Sequence, residues 1–197
     1  MLRRFAAFAL GCLLLSACSE TAPPADQAAS PDPPQVAIEQ RAAESIRWSE
    51  QVHLVPVNFT EWRAELEAMR GNIVVVDHWA TWCAPCLERF PKMMEMAREW
   101  EPKGVQFVTL SLDDRDDPDS IAQVQTFLEQ QDARLPNYLM DEIIPDAFEK
   151  LDLLGIPAVL IYDRDGQLRH RLTGDDPNRQ YTDADVERAI REMVEGP

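Results

Sequence analysis

Two rhythms of hydrophobic residues alternate along this chain. Ile73 to Asp77 and Val105 to Leu112 are nearly continuous apolar runs rich in β-branched residues, the pattern of strands covered on both faces. Between them, apolar residues recur every three or four positions: Trp62, Leu66 and Met69 within EWRAELEAMR, the segment from about Cys83 to Trp100, and Ile121, Val124, Phe127 and Leu128 between about Ser120 and Gln131. Each predicts a helix with one buried stripe. Asn58 or Thr60 caps the first of these helices and Gly71 stops it. VHLVPV, Val52 to Val57, reads as an edge strand, because Pro56 withholds a ladder N–H. A short strand near Asn137 to Met140 and a helical turn near Pro145 to Leu151 follow. Pro157 to Tyr162 and Gln167 to Leu172 then form two strands joined by the turn DRDG, and a last helix runs from Thr182 to about Val194. Strand-helix alternation that closes on a hairpin and a helix predicts an α/β fold with a mixed central sheet flanked by helices. No internal repeat is present.

The amino end breaks this pattern. Arg3 and Arg4 precede an apolar run from Phe5 to Leu15, too short to span a bilayer and of the length of an export signal. It ends in Leu15-Ser16-Ala17-Cys18, which resembles the lipobox of bacterial lipoproteins and implies cleavage before Cys18 and acylation of that cysteine. The alternative is an ordinary signal that leaves Cys18 a free thiol, a liability in an oxidising compartment. Ser19 to about Pro34 is rich in Pro, Ala and Ser, too poor in apolar surface to order itself. The expected organisation is a signal over residues 1–17, a lipid-attachment cysteine and tether over 18–45, and one α/β domain over 46–197. That organisation puts the domain in the cell envelope, with the lipid bilayer as a partner through Cys18.

Charge and cysteine usage narrow the chemistry. Nineteen Lys and Arg against 35 Asp and Glu give a formal charge of −16, which argues against nucleic acid as a partner. The acidic group Asp113, Asp114, Asp116, Asp117 and Asp119 reads as a solvated loop, lacking the spacing of a calcium-binding hand. The four cysteines form two unrelated pairs, Cys12 with Cys18 and Cys83 with Cys86, rather than a disulfide framework. No second Cys or His pair completes a structural zinc site, and no cofactor is expected.

VVVDHWATWCAPC, Val74 to Cys86, places a CxxC where a covered strand gives way to a helix. There the first thiol meets unpaired backbone N–H groups and the positive end of the helix dipole, which favour thiolate. Cys83 is then a nucleophile, with a pKa below the free value of about 8.5, and Cys86, one turn in, is the better shielded resolving thiol. Pro85, after Ala84, stiffens the helix start. A buried structural pair and half of a metal site are the competing readings.

These residues resemble the thioredoxin superfamily, and WATWCAPC with the later FP of LERFPKM is similar to its exported TlpA/ResA-type thiol-disulfide oxidoreductases. The resemblance covers about Phe59 to Val194. It implies a thioredoxin fold with a strand-helix insertion between the CxxC helix and a cis-proline strand. Its second motif is Gly155-Ile156-Pro157, Pro157 lying 74 residues after Cys83. It implies that Pro157 is cis, that Ile156 pairs with substrate backbone, and that Trp82 belongs to a collar around the thiols. Asp77 matches the buried acid of thioredoxins. At the end of a covered strand its pKa should rise, letting it take the Cys86 proton through water; local hydrogen bonding is the alternative role. Where relatives carry Glu three residues after the second cysteine this chain has Arg89, beside Glu88, so Asp77 carries more of the acid's role, and Arg89 either favours thiolate or meets an acidic partner. His78, on the other face, reads as a packed core histidine; Trp79, Met93, Met94 and Met96 read as core. A peroxidase's PxxxTxxC and a copper carrier's CxxxC are absent, and His53, His78 and His170 sit in no ligand motif.

What the resemblance implies is a lipid-anchored envelope enzyme that reduces disulfides of exported proteins, apocytochrome c among the possible clients, with electrons from a membrane thiol carrier of DsbD/CcdA type. The alternatives are a disulfide-forming oxidase or isomerase, and a non-catalytic module binding a protein partner or a metal beside Pro157.

Overall fold

The computed structural model describes residues 48–174 and 180–196. The export signal, Cys18 and the tether lie outside the described residues.

Six strands, β1 Leu54–Val57, β2 Ile73–Trp79, β3 Val105–Ser111, β4 Asn137–Met140, β5 Ala158–Tyr162 and β6 Leu168–Thr173, form one sheet in the order β1-β4-β3-β2-β5-β6. The first four run parallel to one another, whereas β5 is antiparallel to both β2 and β6. The sheet is mixed, as the alternation of elements predicts. Its helices are α1 Phe59–Ala68, α2 Ala84–Trp100, α3 Pro118–Gln130, α4 Ile144–Lys150 and α5 Asp183–Glu195.

Strand β2 is the axis, and all seven of its residues are buried. Successive side chains on a strand point to opposite faces, so β2 feeds two cores. Ile73, Val75 and Trp79 join a layer containing Phe90 and Ala97 of α2, Val124 and Leu128 of α3, and Ile190 of α5. Val74 and Val76 join the other layer with Trp62 of α1, Tyr138 of β4 and Ala147 of α4. Complete burial of each such valine or isoleucine is worth about 1.5–3 kcal/mol, which is why the two apolar runs occupy the centre of the sheet.

Local signals set the boundaries. Asn58, not Thr60, caps α1: its side chain accepts from the N–H groups of Thr60 and Glu61, and Glu61 returns the bond to the Asn58 N–H at 2.9 Å. Thr182 and Asp185 build the same reciprocal cap on α5. Gly71 takes φ +95°, open to glycine without a Cβ penalty, and its N–H donates to the Arg164 carbonyl at 2.8 Å. Strand β6 begins one residue later than the pattern suggests, because Gln167 is held in the turn by its N–H bond to Asp163 Oδ1 at 2.8 Å. Pro56 lies on the edge strand β1, as expected of a residue with no N–H to donate.

Candidate active site

The C-terminal end of β2 turns through residues 80–83 into α2. The Cys83 N–H donates to the Ala80 carbonyl at 3.1 Å, and the Cys83 carbonyl accepts from Cys86 and Leu87 at 3.0 and 3.2 Å, making Cys83 the N-cap of α2. Pro85 lies in the first turn of the helix, where its missing N–H has no intrahelical partner to lose. Cys83 and Cys86 are joined as a disulfide, their Cα atoms 5.3 Å apart. In this state the difference in shielding expected between the two cysteines is slight: Cys83 is 5% and Cys86 2% exposed, both within the apolar layer around Trp79 and Phe90. Trp82 beside them is exposed, at 54%, as are Ala84 and Pro85. Trp79 is wholly buried, edge-on to Phe90 with ring centroids 5.0 Å apart, and belongs to the core.

Antiparallel pairing of β5 with β2, His78 opposite Ala158, carries the start of β5 to the thiol end of the sheet. The Ile156–Pro157 peptide bond is cis. Ile156 packs against the layer that holds both cysteines. The Pro157 carbonyl accepts from the Gly174 N–H at 2.9 Å, and a Cβ on Gly174 would stand 3.2 Å from Pro157 Cδ, a tight contact that favours glycine here.

Asp77 is 5% exposed. By the alternation of β2 it faces the thiol layer. Among the described residues none donates a hydrogen bond to its carboxylate. Burial pushes its pKa up to about 6; Arg89 opposes the shift and Asp183 adds to it. Arg89 Nε donates to Asp183 Oδ1 at 3.3 Å, and its guanidinium donates to the Tyr181 hydroxyl and lies 4.3 Å from the Tyr181 ring centre. The acidic partner of Arg89 is therefore in the same chain, on α5. Glu88 is exposed. His78, on the opposite face, is 1% exposed, and neither ring nitrogen has a hydrogen-bond partner among the described residues. Burial pushes its pKa down to about 4; the nearby backbone of Ala158 and Val76 opposes part of that shift without reaching hydrogen-bond geometry.

One residue of the acidic loop does not behave as a solvated charge. Asp114, Asp116, Asp117 and Asp119 are exposed, but Asp113 is 1% exposed. Its carboxylate accepts the Thr81 N–H at 3.1 and 3.0 Å, the Thr81 hydroxyl, and the Ser111 hydroxyl at 2.7 Å. Asp113 directly follows the buried run of β3, and that continuity was the one signal for it in the sequence; its acidic neighbours disguise it.

Comparison with known proteins adds identity to this geometry. The family described as AhpC/TSA matches residues 56–171. The thiol-disulfide oxidoreductase ResA of Bacillus thuringiensis subsp. konkukian is 28% identical over 120 residues, 60% of this chain and 64% of that protein. The thiol:disulfide interchange protein DsbE of Allochromatium vinosum is 27% identical over 106 residues, 53% of this chain and 52% of that protein. The chain thus spans less than two thirds of these relatives' length. A crystal structure of a thiol:disulfide interchange protein, thioredoxin family protein from Chlorobium tepidum superposes with a TM-score of 0.51 at 20% identity, over 64% of this chain and 83% of that one. The fold is the thioredoxin fold.

Proposed function

We propose, from the premise that the chain belongs to the AhpC/TSA family, that it is an envelope thiol-disulfide oxidoreductase that reduces disulfides of exported proteins. The observation that carries this reading is the Cys83–Cys86 disulfide at the start of α2, with Asp77 facing the same layer and the cis Ile156–Pro157 bond at the same end of the sheet.

In the reduced protein the Cys83 thiolate attacks one sulfur of a client disulfide. A mixed disulfide forms and the first client sulfur leaves as thiolate. Asp77, ionised above about pH 6, takes the Cys86 proton through water, and the Cys86 thiolate attacks the Cys83 sulfur. The second client sulfur departs, the client has gained two electrons, and the protein is left in the disulfide state described above. Trp82 and Ile156 flank the client, Ile156 through its backbone, while Ala84 and Pro85 keep the two thiols on a stiff first turn.

Returning to the dithiol requires two electrons and two protons, which a membrane thiol carrier of DsbD/CcdA type supplies. Acylated Cys18 and the tether hold the domain at the bilayer, within reach of that carrier. The relatives named ResA and DsbE support the exchange chemistry; export and anchoring rest on the residues from Arg3 to Cys18. Apocytochrome c, with its paired thiols, is one client of this class.

The test is the reduction potential of the Cys83–Cys86 couple, read by equilibrating the purified chain with defined thiol buffers and alkylating free thiols. A value near roughly −270 mV supports the reductase, whereas one near roughly −120 mV makes the protein an oxidant. If the pair forms no reversible couple, the catalytic reading falls and a binding module remains.

A further inference from the structure

Asp113 is a buried carboxylate that the exchange chemistry does not use. Moving an ionised carboxylate out of water costs several kcal/mol unless donors replace the lost hydration. Here they do. Two hydroxyls and one backbone N–H converge on it within hydrogen-bond distance, and the Ser120 hydroxyl adds a fourth donor at 3.4 Å. The donors come from three places: Ser111 ends β3, Ser120 lies in the first turn of α3, and Thr81 sits in the turn immediately before Trp82 and Cys83. Asp113 receives both polar groups of Thr81, its N–H and its hydroxyl. On its other side the same turn is tied by the bond from the Leu112 N–H to the Trp79 carbonyl at 2.8 Å and by the Cys83 N–H to Ala80. The thiol turn is therefore tied to the end of β3 twice, through the Leu112 backbone and through the Asp113 carboxylate, which lies 32 residues from Thr81 in sequence.

We propose that Asp113 is a positioning residue for thiol-disulfide exchange: its carboxylate clamps Thr81 and so fixes the turn that presents Trp82 and Cys83. The inference rests on Cys83–Cys86 being the exchanging couple. A clamped turn holds Cys83 and Cys86 at a high effective concentration for each other, which favours the disulfide. Loosening it weakens that preference and raises the reduction potential. It also misplaces Cys83 for attack on a client, and small displacements of reacting groups cost up to about a hundredfold in rate.

The experiment compares the full chain with Asp113→Asn, Asp113→Ala, Thr81→Val and Thr81→Ser, measuring insulin-disulfide reduction, the potential of the couple and thermal unfolding. Asn58→Ala, which removes the cap of α1, a helix packed on the layer that does not hold the thiols, serves as a destabilised control. The expected result is a loss of about tenfold or more in the rate of reduction for both Asp113 variants. Their potential should rise by about 30 mV, the equivalent of a tenfold weaker disulfide. Thr81→Val should move the same way by less, Thr81→Ser should match the parent, and Asn58→Ala should keep parental rate and potential. Should Asp113→Ala fail to fold, Asp113→Asn and Thr81→Val decide. Parental rate and potential in those two variants overturn the inference. So do equal losses in Asn58→Ala, because the effect would then be stability alone. A parent chain with no reversible couple is the separate failure of the proposed function, and takes this inference with it.

Discussion

Asp77 and His78 are consecutive on β2, both nearly sealed from water, and they face opposite layers of the same sheet. Each is held away from its charged form by the same physics, burial, so Asp77 resists losing a proton and His78 resists gaining one. Their surroundings differ. Asp77 looks into the layer that contains both cysteines and feels the opposed charges of Arg89 and Asp183. The layer on the side of His78 contains Val74, Val76 and Ala158; no described residue bonds its ring, and the charge of Arg171 adds slightly to the downward shift. A perturbed pKa therefore marks burial in both, and the proposed proton transfer falls to the one that shares a layer with both sulfurs.

The sharpest way to break this contrast is kinetic. Asp77→Asn removes the proposed proton acceptor, and the resolving step should slow by about a hundredfold at pH 7. His78→Leu, similar in volume and without unpartnered nitrogens, should leave turnover within about twofold of the parent. Stopped-flow reduction of a mixed-disulfide substrate separates the two. A hundredfold loss in His78→Leu would erase the distinction between the faces.

Next in size is the pH dependence of stability, where the neighbours oppose each other. The folded pKa of Asp77 lies above its unfolded value, so its contribution is intact below about pH 4 and is lost as pH rises through about 6. His78 has its folded pKa below the unfolded value, so its contribution is intact above about pH 6.5 and is lost as pH falls through about 4. Each amounts to about 3 kcal/mol over its window, and between pH 4 and 6 the two slopes largely cancel. Urea unfolding should show Asp77→Asn gaining up to about 3 kcal/mol on the parent between pH 4 and 6, a constant advantage above that, and a residual slope rising with pH. His78→Leu should retain a slope that falls with pH over the same range. Parallel curves for parent and both variants would refute the assignment.

The smallest effect concerns the ion pair that shapes the field at Asp77. Arg89→Gln removes the cation that lowers the Asp77 pKa and leaves Asp183, so the pH midpoint of the resolving step should move upward from about 6. Asp183→Asn should move it downward. The pH profile of turnover reads both, and shifts of the same sign would contradict the geometry.

Much of this was legible because it is local. The covered strands declare themselves in Ile73–Trp79 and Val105–Ser111, the start of α2 in Pro85, and the caps in Asn58 and Thr182. The thiols declare themselves as a CxxC where a covered strand gives way to a helix, and only their link to Pro157 came from motif resemblance. What escaped the reading joins distant positions. Arg89 meets Asp183 across 94 residues and Asp113 meets Thr81 across 32, and neither separation has a periodicity to announce it. Asp113 was further hidden by lying next to four exposed acids of the same kind, so that composition argued for solvent where register put it in the core.

The two rims of the sheet are guarded by different means. An unfolded segment adding a seventh strand at β1 would meet Pro56, which offers no N–H, and one adding at β6 would have to lie along Arg169, His170 and Arg171 in unbroken succession. Both features make the rims poor templates for a further strand. Both rims of the sheet therefore resist the addition of a seventh strand, and the end of the sheet that carries the sulfurs is the place left for an extended chain to approach.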